Sequence, residues 1–238
     1  MKEFEGFVGA ENGAYLMGDD VLLMLVFAMI ACLSVVFRGN IQLFFRMKEN
    51  FFTKEGKTLS HAIGVKRWLT YFFLHLQEIV LSSLLLFATL LHLGFFLPET
   101  GADPKIFVLI TFLLLVFFSF LKKRIIALLF WTFFTPEMYK AWKTLTRSIM
   151  NLWGILLYIP ALSLLLTRDG TPFAITFFLL TFIFTRFYIF YKSIFIFHSK
   201  PMGLLSISSY LCALEILPIY FVCKGSMFLF KFIETIII

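Results

Sequence analysis

The chain has 238 residues, a mass of 27.7 kDa and a formal net charge of +7. Hydrophobic residues make up 61% of it, 34 residues are phenylalanine, and the mean hydropathy is +0.93. These values exclude a water-soluble enzyme, a disordered chain and a disulfide-stapled secreted domain, because each of these keeps more polar surface or pairs its cysteines. We therefore expect an all-α integral membrane protein with one polytopic domain over residues 1–238.

Six apolar stretches are long enough to cross a membrane. A hydrocarbon core about 30 Å thick needs about 20 helical residues per crossing. The predicted spans are 21–37, 68–96, 106–121, 148–166, 172–191 and 204–223. Two Thr-Pro pairs, at 135–136 and 171–172, are typical of helix starts, since threonine caps the first turn and proline suits its first position.

The apolar run from Ile125 to Phe134 spans only half a membrane. It follows three consecutive cations, Lys122, Lys123 and Arg124. Two interpretations remain open, an interfacial helix or an extension of the third span.

The distribution of lysine and arginine predicts the orientation. Seven cations lie in 38–67, six in 122–147 and two between the fifth and sixth spans, so 15 of the 21 fall on one side. Cationic connections stay in the cytoplasm, because moving them outward opposes the membrane potential. We expect basic cytoplasmic loops at 38–67 and 122–147, both termini outside the cytoplasm, and a bacterial inner membrane.

Paired phenylalanines recur among cations in the first basic loop. This pattern is typical of a helix lying in the headgroup layer, although the same rings could pack on the ends of the spans. The predicted contacts with lipid are Phe44, Phe45, Arg46, Lys48, Phe51 and Phe52, together with the three cations at 122–124.

Ionisable groups within the spans are the candidate functional residues. Each costs about 2.5–3.5 kcal/mol to insert, so each needs a partner or a wet cavity. His75 and Glu78 are three positions apart in the second span, and Ser82 continues their face. Arg186 lies in the fifth span, at a depth where it could pair with Glu78 or with a carboxylate of the sixth span.

The sixth span carries a similar stripe, formed by Ser208, Cys212 and Glu215. Counted from the start of its span, Glu215 lies about 15 Å deep, which matches the predicted depth of Glu78. Pro218 removes a backbone donor beside Glu215, and Pro160 does the same in the fourth span, so both positions are predicted kinks.

This set of residues has two interpretations. One is a buried polar cluster that fixes helix register, and the other is a proton or ion pathway. Stacked haems on His75 and His92 would need opposing histidines that no other predicted span supplies, so we expect no cofactor and no metal. The cations lie between apolar runs, so we also expect no nucleic-acid partner.

The stretch from Tyr210 to Pro218, Tyr-Leu-Cys-Ala-Leu-Glu-Ile-Leu-Pro, follows a short Lys-Pro-Met-Gly turn. It resembles the C-terminal signature of an uncharacterised multi-pass membrane family of Bacteroidota, known by a domain-of-unknown-function label. The phenylalanine-rich spans and the basic first loop are similar as well. The resemblance implies an inner-membrane location and no activity, and it singles out Cys212, Glu215 and Pro218.

No P-loop, HExxH, Gly-x-Ser-x-Gly or dinucleotide fingerprint occurs in the chain. The sequence therefore favours a noncatalytic subunit or scaffold of a larger membrane complex, for instance in protein export or envelope assembly. Its expected partners are membrane lipids and other membrane subunits. A small proton-coupled transporter using the intramembrane Glu, Arg and His residues is the alternative, and a lipid-acting membrane enzyme is a weaker one.

Overall fold

The computed structural model describes residues 20–39, 45, 65–93, 104–133, 135–167, 170–197, 220, 224–225 and 228. These residues are almost entirely helical, and they contain no strand. The helices are α1 (Asp20–Gly39), α2 (Val65–His92), α3 (Pro104–Phe133), α4 (Pro136–Leu156), α5 (Tyr158–Leu166) and α6 (Gly170–Phe197).

Five segments of the described part are long and apolar enough to cross a membrane. They are Asp20–Arg38, Leu69–His92, Lys105–Leu128, Pro136–Leu166 and Gly170–Ile194. The first five predicted spans overlap these segments, so the helical fold is confirmed, with five segments in the described part that could cross a membrane by their length and composition. The sixth predicted span, 204–223, lies almost wholly outside the described residues.

The helices extend beyond the predicted spans at several ends. α3 continues through the three cations at 122–124 to Phe133, so the run at 125–134 is an extension of the third span. α6 begins at Gly170, two residues before Pro172, so Thr171 lies inside its first turn and is not the cap. Hydropathy detects only the apolar part of a helix, whereas backbone hydrogen bonding continues through its polar ends.

The Thr135–Pro136 pair starts a helix, as predicted, but the Thr135 side chain makes no capping hydrogen bond. Thr135 is extended, with φ −74° and ψ 149°, and Pro136 occupies the first helical position of α4. The fourth predicted span is the apolar second half of the segment Pro136–Leu166. That segment is interrupted by a turn at Leu157, three residues before the predicted kink at Pro160, whose ring provides no amide to the helix.

α2 is the central helix of the bundle. It packs against α3 on one side and α4 on another, and it also contacts α1, α5 and α6. Its residues Leu74, Leu81 and Leu85 are fully buried, and Phe87 stacks on Phe107 of α3 with ring centroids 6.2 Å apart. Lipid tails are as apolar as these side chains, so helices in a membrane gain no hydrophobic free energy by associating. Close packing of this kind therefore holds the bundle together.

Most buried hydroxyls bond to a backbone carbonyl one turn earlier, as Thr89 does to Leu85 and Thr185 to Thr181. Ser193 also accepts a bond across helices, because the Trp142 Nε1–H donates to its Oγ at 3.1 Å. This bond joins α4 to α6.

We expect Ser193→Ala to lower the free energy of unfolding by about 1 kcal/mol, since it removes the acceptor of a buried indole N–H. The measurement is thermal unfolding in detergent. Ser34→Ala is the matched control, because exposed Ser34 bonds only to the carbonyl of Ile30 in its own helix. Equal melting temperatures for the two variants would show that the interhelical bond contributes nothing.

Candidate functional site: a charged layer across four helices

His75 and Glu78 meet on one face of α2. The Nδ1 atom of His75 lies 3.2 Å from Oε2 of Glu78. Glu78 is 5% exposed, so its carboxylate is surrounded by protein. Burying a carboxylate is costly unless it accepts hydrogen bonds or has a charged neighbour, and His75 satisfies this need from within the same helix.

α3 brings a cation to the other side of the same imidazole. The Nζ atom of Lys123 lies 2.7 Å from Nε2 of His75, and Oγ of Ser119 lies 3.3 Å from it. An ammonium group only donates, so His75 accepts at Nε2 from charged Lys123. Its Nδ1 then carries the proton and donates to Glu78. The three side chains form a directed chain of hydrogen bonds.

The exposure of the three side chains decreases along this chain. Lys123 is exposed, the His75 side chain is 32% exposed, and the Glu78 side chain is 7% exposed. The chain therefore connects the surface of α3 to the interior of the bundle. Ordered hydrogen bonds of this kind can pass a proton when each group can both take up and release one.

Sequence reasoning placed Lys123 only among the lipid contacts. Nothing in its hydropathy distinguishes it from Lys122, which is half-buried, or from Arg124, whose guanidinium lies 4.9 Å from the Phe120 ring centroid. The available signal is the four-residue spacing of Ser119 and Lys123, which puts a hydroxyl and a cation on one face of α3.

Gly154 of α4 allows the helix backbones to approach closely at Glu78. A Cβ added to Gly154 would lie 3.1 Å from the Glu78 Cβ and 3.5 Å from its Cα. A side chain at this position would require Glu78 to shift, so glycine suits the contact, which is how small residues act at helix interfaces in membranes. Sequence analysis did not identify Gly154, because the contact joins residues far apart in the chain.

Further polar groups surround this crossing of α2 and α4. The Tyr158 hydroxyl donates to Oε1 of Gln77 at 3.1 Å. Three buried N–H donors have no hydrogen-bond partner within the described ranges, namely Gln77 Nε2, Asn151 Nδ2 and Trp153 Nε1. The Oγ atom of Ser82, one turn after Glu78, is likewise without a partner in that part of the chain. The interior is polar at this crossing of α2 and α4, whereas the later part of α2 buries mainly leucine, phenylalanine and alanine.

Arg186 of α6 lies over aromatic rings. Its guanidinium carbon is 4.8 Å from the Phe182 centroid and 5.9 Å from that of Trp153, the neighbour of Gly154. Cation–π contacts of this kind offset part of the cost of burying a guanidinium. The structure shows the Glu78 carboxylate in contact with His75. Glu215, the other predicted partner of Arg186, lies outside the described residues.

We use the term charged layer for Lys123 of α3, His75 and Glu78 of α2, Gly154 of α4 and Arg186 of α6; the helices α3, α4 and α6 all contact α2. The structure thus brings together His75 and Glu78 with a lysine that the sequence did not assign to them. Of the other predicted site residues, Ser208, Cys212, Glu215 and Pro218 lie outside the described part, as do Phe44, Arg46, Lys48, Phe51 and Phe52. Phe45 is described, and it is helical and 58% exposed.

Comparison with known protein families gives a match over most of the chain. Residues 21–225 match a family described as a domain of unknown function, DUF4271. No curated protein and no solved structure matches the chain. The match covers the charged layer and the sixth predicted span.

Proposed function

The chain belongs to the DUF4271 family, and we propose that it is a proton-coupled transport protein of the bacterial inner membrane, in which Lys123, His75 and Glu78 form the proton path. The single observation that supports this proposal is the hydrogen-bond chain from exposed Lys123 to buried Glu78, with contacts of 2.7 Å and 3.2 Å at the two nitrogens of His75. A cluster that only fixes helix register has no need of an exposed end.

The proton transfer involves only the side chains of Lys123, His75 and Glu78. Lys123 gives a proton to Nε2 of His75, and His75 gives its Nδ1 proton to the Glu78 carboxylate. Lys123 becomes neutral, Glu78 becomes a neutral acid, and His75 returns to a neutral form with the proton on Nε2. Neutral Glu78 no longer carries a buried charge, so protonation lowers the cost of any helix movement that changes its surroundings.

Reconstitution into liposomes tests this function. With a pH-sensitive dye inside and an imposed membrane potential, the wild-type protein should carry protons faster than protein-free liposomes. His75→Phe keeps an aromatic ring of similar size but cannot relay a proton, so we expect its flux to fall by about a hundredfold. Equal flux through wild type and His75→Phe would contradict the proposed path.

A noncatalytic subunit or scaffold of a larger membrane complex, for instance in protein export or envelope assembly, is the second candidate. It is favoured by the sparse burial of two spans, since only 22% of Asp20–Arg38 and 17% of Lys105–Leu128 are buried within the chain, against 67% of Leu69–His92. Their outer faces offer surface to another subunit. Purification in a mild detergent should return stoichiometric partners if this is correct, and a lone monomer argues against it.

The orientation is proposed from the cations alone. The end of the bundle where α2 begins, α3 ends, α4 begins and α6 ends is the basic end, and we place it in the cytoplasm. A fluorescent reporter active only in the cytoplasm should be bright when inserted at residue 55 and dark when fused to Ile238. Equal brightness at both positions would contradict six crossings with both termini outside.

A further inference from the structure

Three cations converge at the basic end of the bundle. Lys143 and Arg147 are four positions apart on α4, so they share a helix face. The Arg147 guanidinium lies over the ring of Tyr71, one turn before His75 on α2, and Nζ of Lys123 on α3 lies 2.7 Å from that histidine. Within the described part of the chain, none of the three forms an ion pair with a carboxylate. We use the term basic notch for Lys123, Lys143 and Arg147.

We place the basic notch at the depth of lipid headgroups. The helices α2, α3 and α6 have 28, 30 and 28 residues. Each is therefore about 42–45 Å long, which exceeds a hydrocarbon core of about 30 Å. The guanidinium of Arg147 lies 5.0 Å from the ring centroid of Tyr71, six positions from the start of α2, and Nζ of Lys143 lies 5.5 Å from that of Tyr139. Tyrosine with lysine or arginine at a helix end is typical of the headgroup layer.

Apolar surface continues from the basic notch toward the membrane centre. On α3, next to Lys123, Phe120 is 57% exposed and Leu121 is 41% exposed. Phe117, one turn deeper, is 59% exposed. A ligand that fits this arrangement has two parts. Its anionic head contacts the three cations, and its hydrocarbon chains cover the apolar side chains. A free anion uses only the first of these surfaces.

We propose that the basic notch binds the phosphate of an anionic phospholipid whose acyl chains lie along the exposed apolar face of α3. Like charges at one end of the bundle repel one another, and a bound phosphate reduces that repulsion while accepting charge-assisted hydrogen bonds. Arginine presents a planar fork of donors to phosphate, and lysine adds a mobile ammonium. The basic notch shares Lys123 with the proposed proton path, but Lys143 and Arg147 are not part of that path, so substitutions at these two residues test lipid binding separately from proton transfer.

Binding of the purified full chain to nanodiscs or to added lipid tests this inference. The probes are phosphatidylglycerol, phosphatidylcholine and inorganic phosphate, with bound lipid measured by native mass spectrometry. The double variant Lys143→Gln/Arg147→Gln should bind phosphatidylglycerol about tenfold more weakly, which corresponds to about 0.7 kcal/mol for each cation and lies within the roughly 1 kcal/mol that a cation near a membrane surface contributes. Binding of phosphatidylcholine should not change.

The matched control is Arg38→Gln/Lys224→Gln, which removes the same charge from two exposed positions outside α4. An equal loss of phosphatidylglycerol in both double variants would overturn the site in favour of a diffuse charge effect. Displacement of the lipid by millimolar inorganic phosphate would overturn the lipid as occupant and leave a free-phosphate site. If the notch double variant fails to fold by circular dichroism, Lys143→Gln alone should still weaken lipid binding by about threefold, and wild-type binding would reject the proposal.

Discussion

Replacing Gly154 by valine is expected to lower the free energy of unfolding by about 3 kcal/mol, at the upper end of the range for overpacked sites. The first added carbon already lies 3.1 Å from Cβ of Glu78, and 3.5 Å from its backbone Cα, which cannot move away by a change of rotamer. Valine adds two methyl groups to this contact. The helices must separate, or Glu78 must shift away from His75.

Thermal unfolding in detergent measures this effect, and we expect the melting temperature to fall by about 6 °C or more. Gly225→Val is the control, because a Cβ at Gly225 meets no atom within 4 Å. Gly154→Ala should be milder than valine, since alanine favours a helix over glycine by about 1 kcal/mol and so offsets part of the clash. A Gly154→Val protein as stable as the Gly225→Val control would show that α2 and α4 do not cross closely at this point.

The largest effect on function is expected from Glu78→Gln. Glutamine has the size of glutamate and can still accept the Nδ1–H of His75, but it cannot take up the proton. Proton flux in liposomes should therefore fall by about a hundredfold or more while the protein stays folded. The infrared carbonyl band of a buried protonated carboxylic acid, followed through a pH titration, should also disappear in this variant.

Glu137→Gln provides the control for this substitution. Glu137 lies exposed in the first turn of α4, so the change in charge is the same while the charged layer is untouched. We expect wild-type flux and an unchanged buried-acid band. If Glu78→Gln transported protons as well as Glu137→Gln, the carboxylate would have a structural role, and the subunit interpretation would gain support.

The spans could be predicted from the sequence because a membrane imposes a simple requirement, about 20 apolar residues in a row. His75 and Glu78 could be assigned to one face because a helix fixes the relation of residues three apart. Helix ends were less predictable. α3 continues past Lys122, since charged side chains do not end a helix and can extend toward the headgroups.

Two parts of the charged layer could not be predicted. Lys123 belongs to a run of three cations, and only the packing of α3 on α2 decides which of them faces His75. Gly154 is one of 13 glycines, and its importance comes from a contact with Glu78 across 76 positions of sequence. Both features depend on how helices pair, which neither hydropathy nor the spacing of residues within one helix determines.

The connection between α5 and α6 has a consequence for biogenesis. The amide of Gly170 donates to the carbonyl of Thr167 at 3.2 Å, so the end of α5 and the start of α6 lie next to each other, and the two helices pack along each other. Helices paired in this way favour entry into the bilayer from the translocon as one unit. Arg186, which alone would oppose insertion by about 3 kcal/mol, would then enter with Phe182 of its own helix and Trp153, just ahead of the helix pair, already beside it.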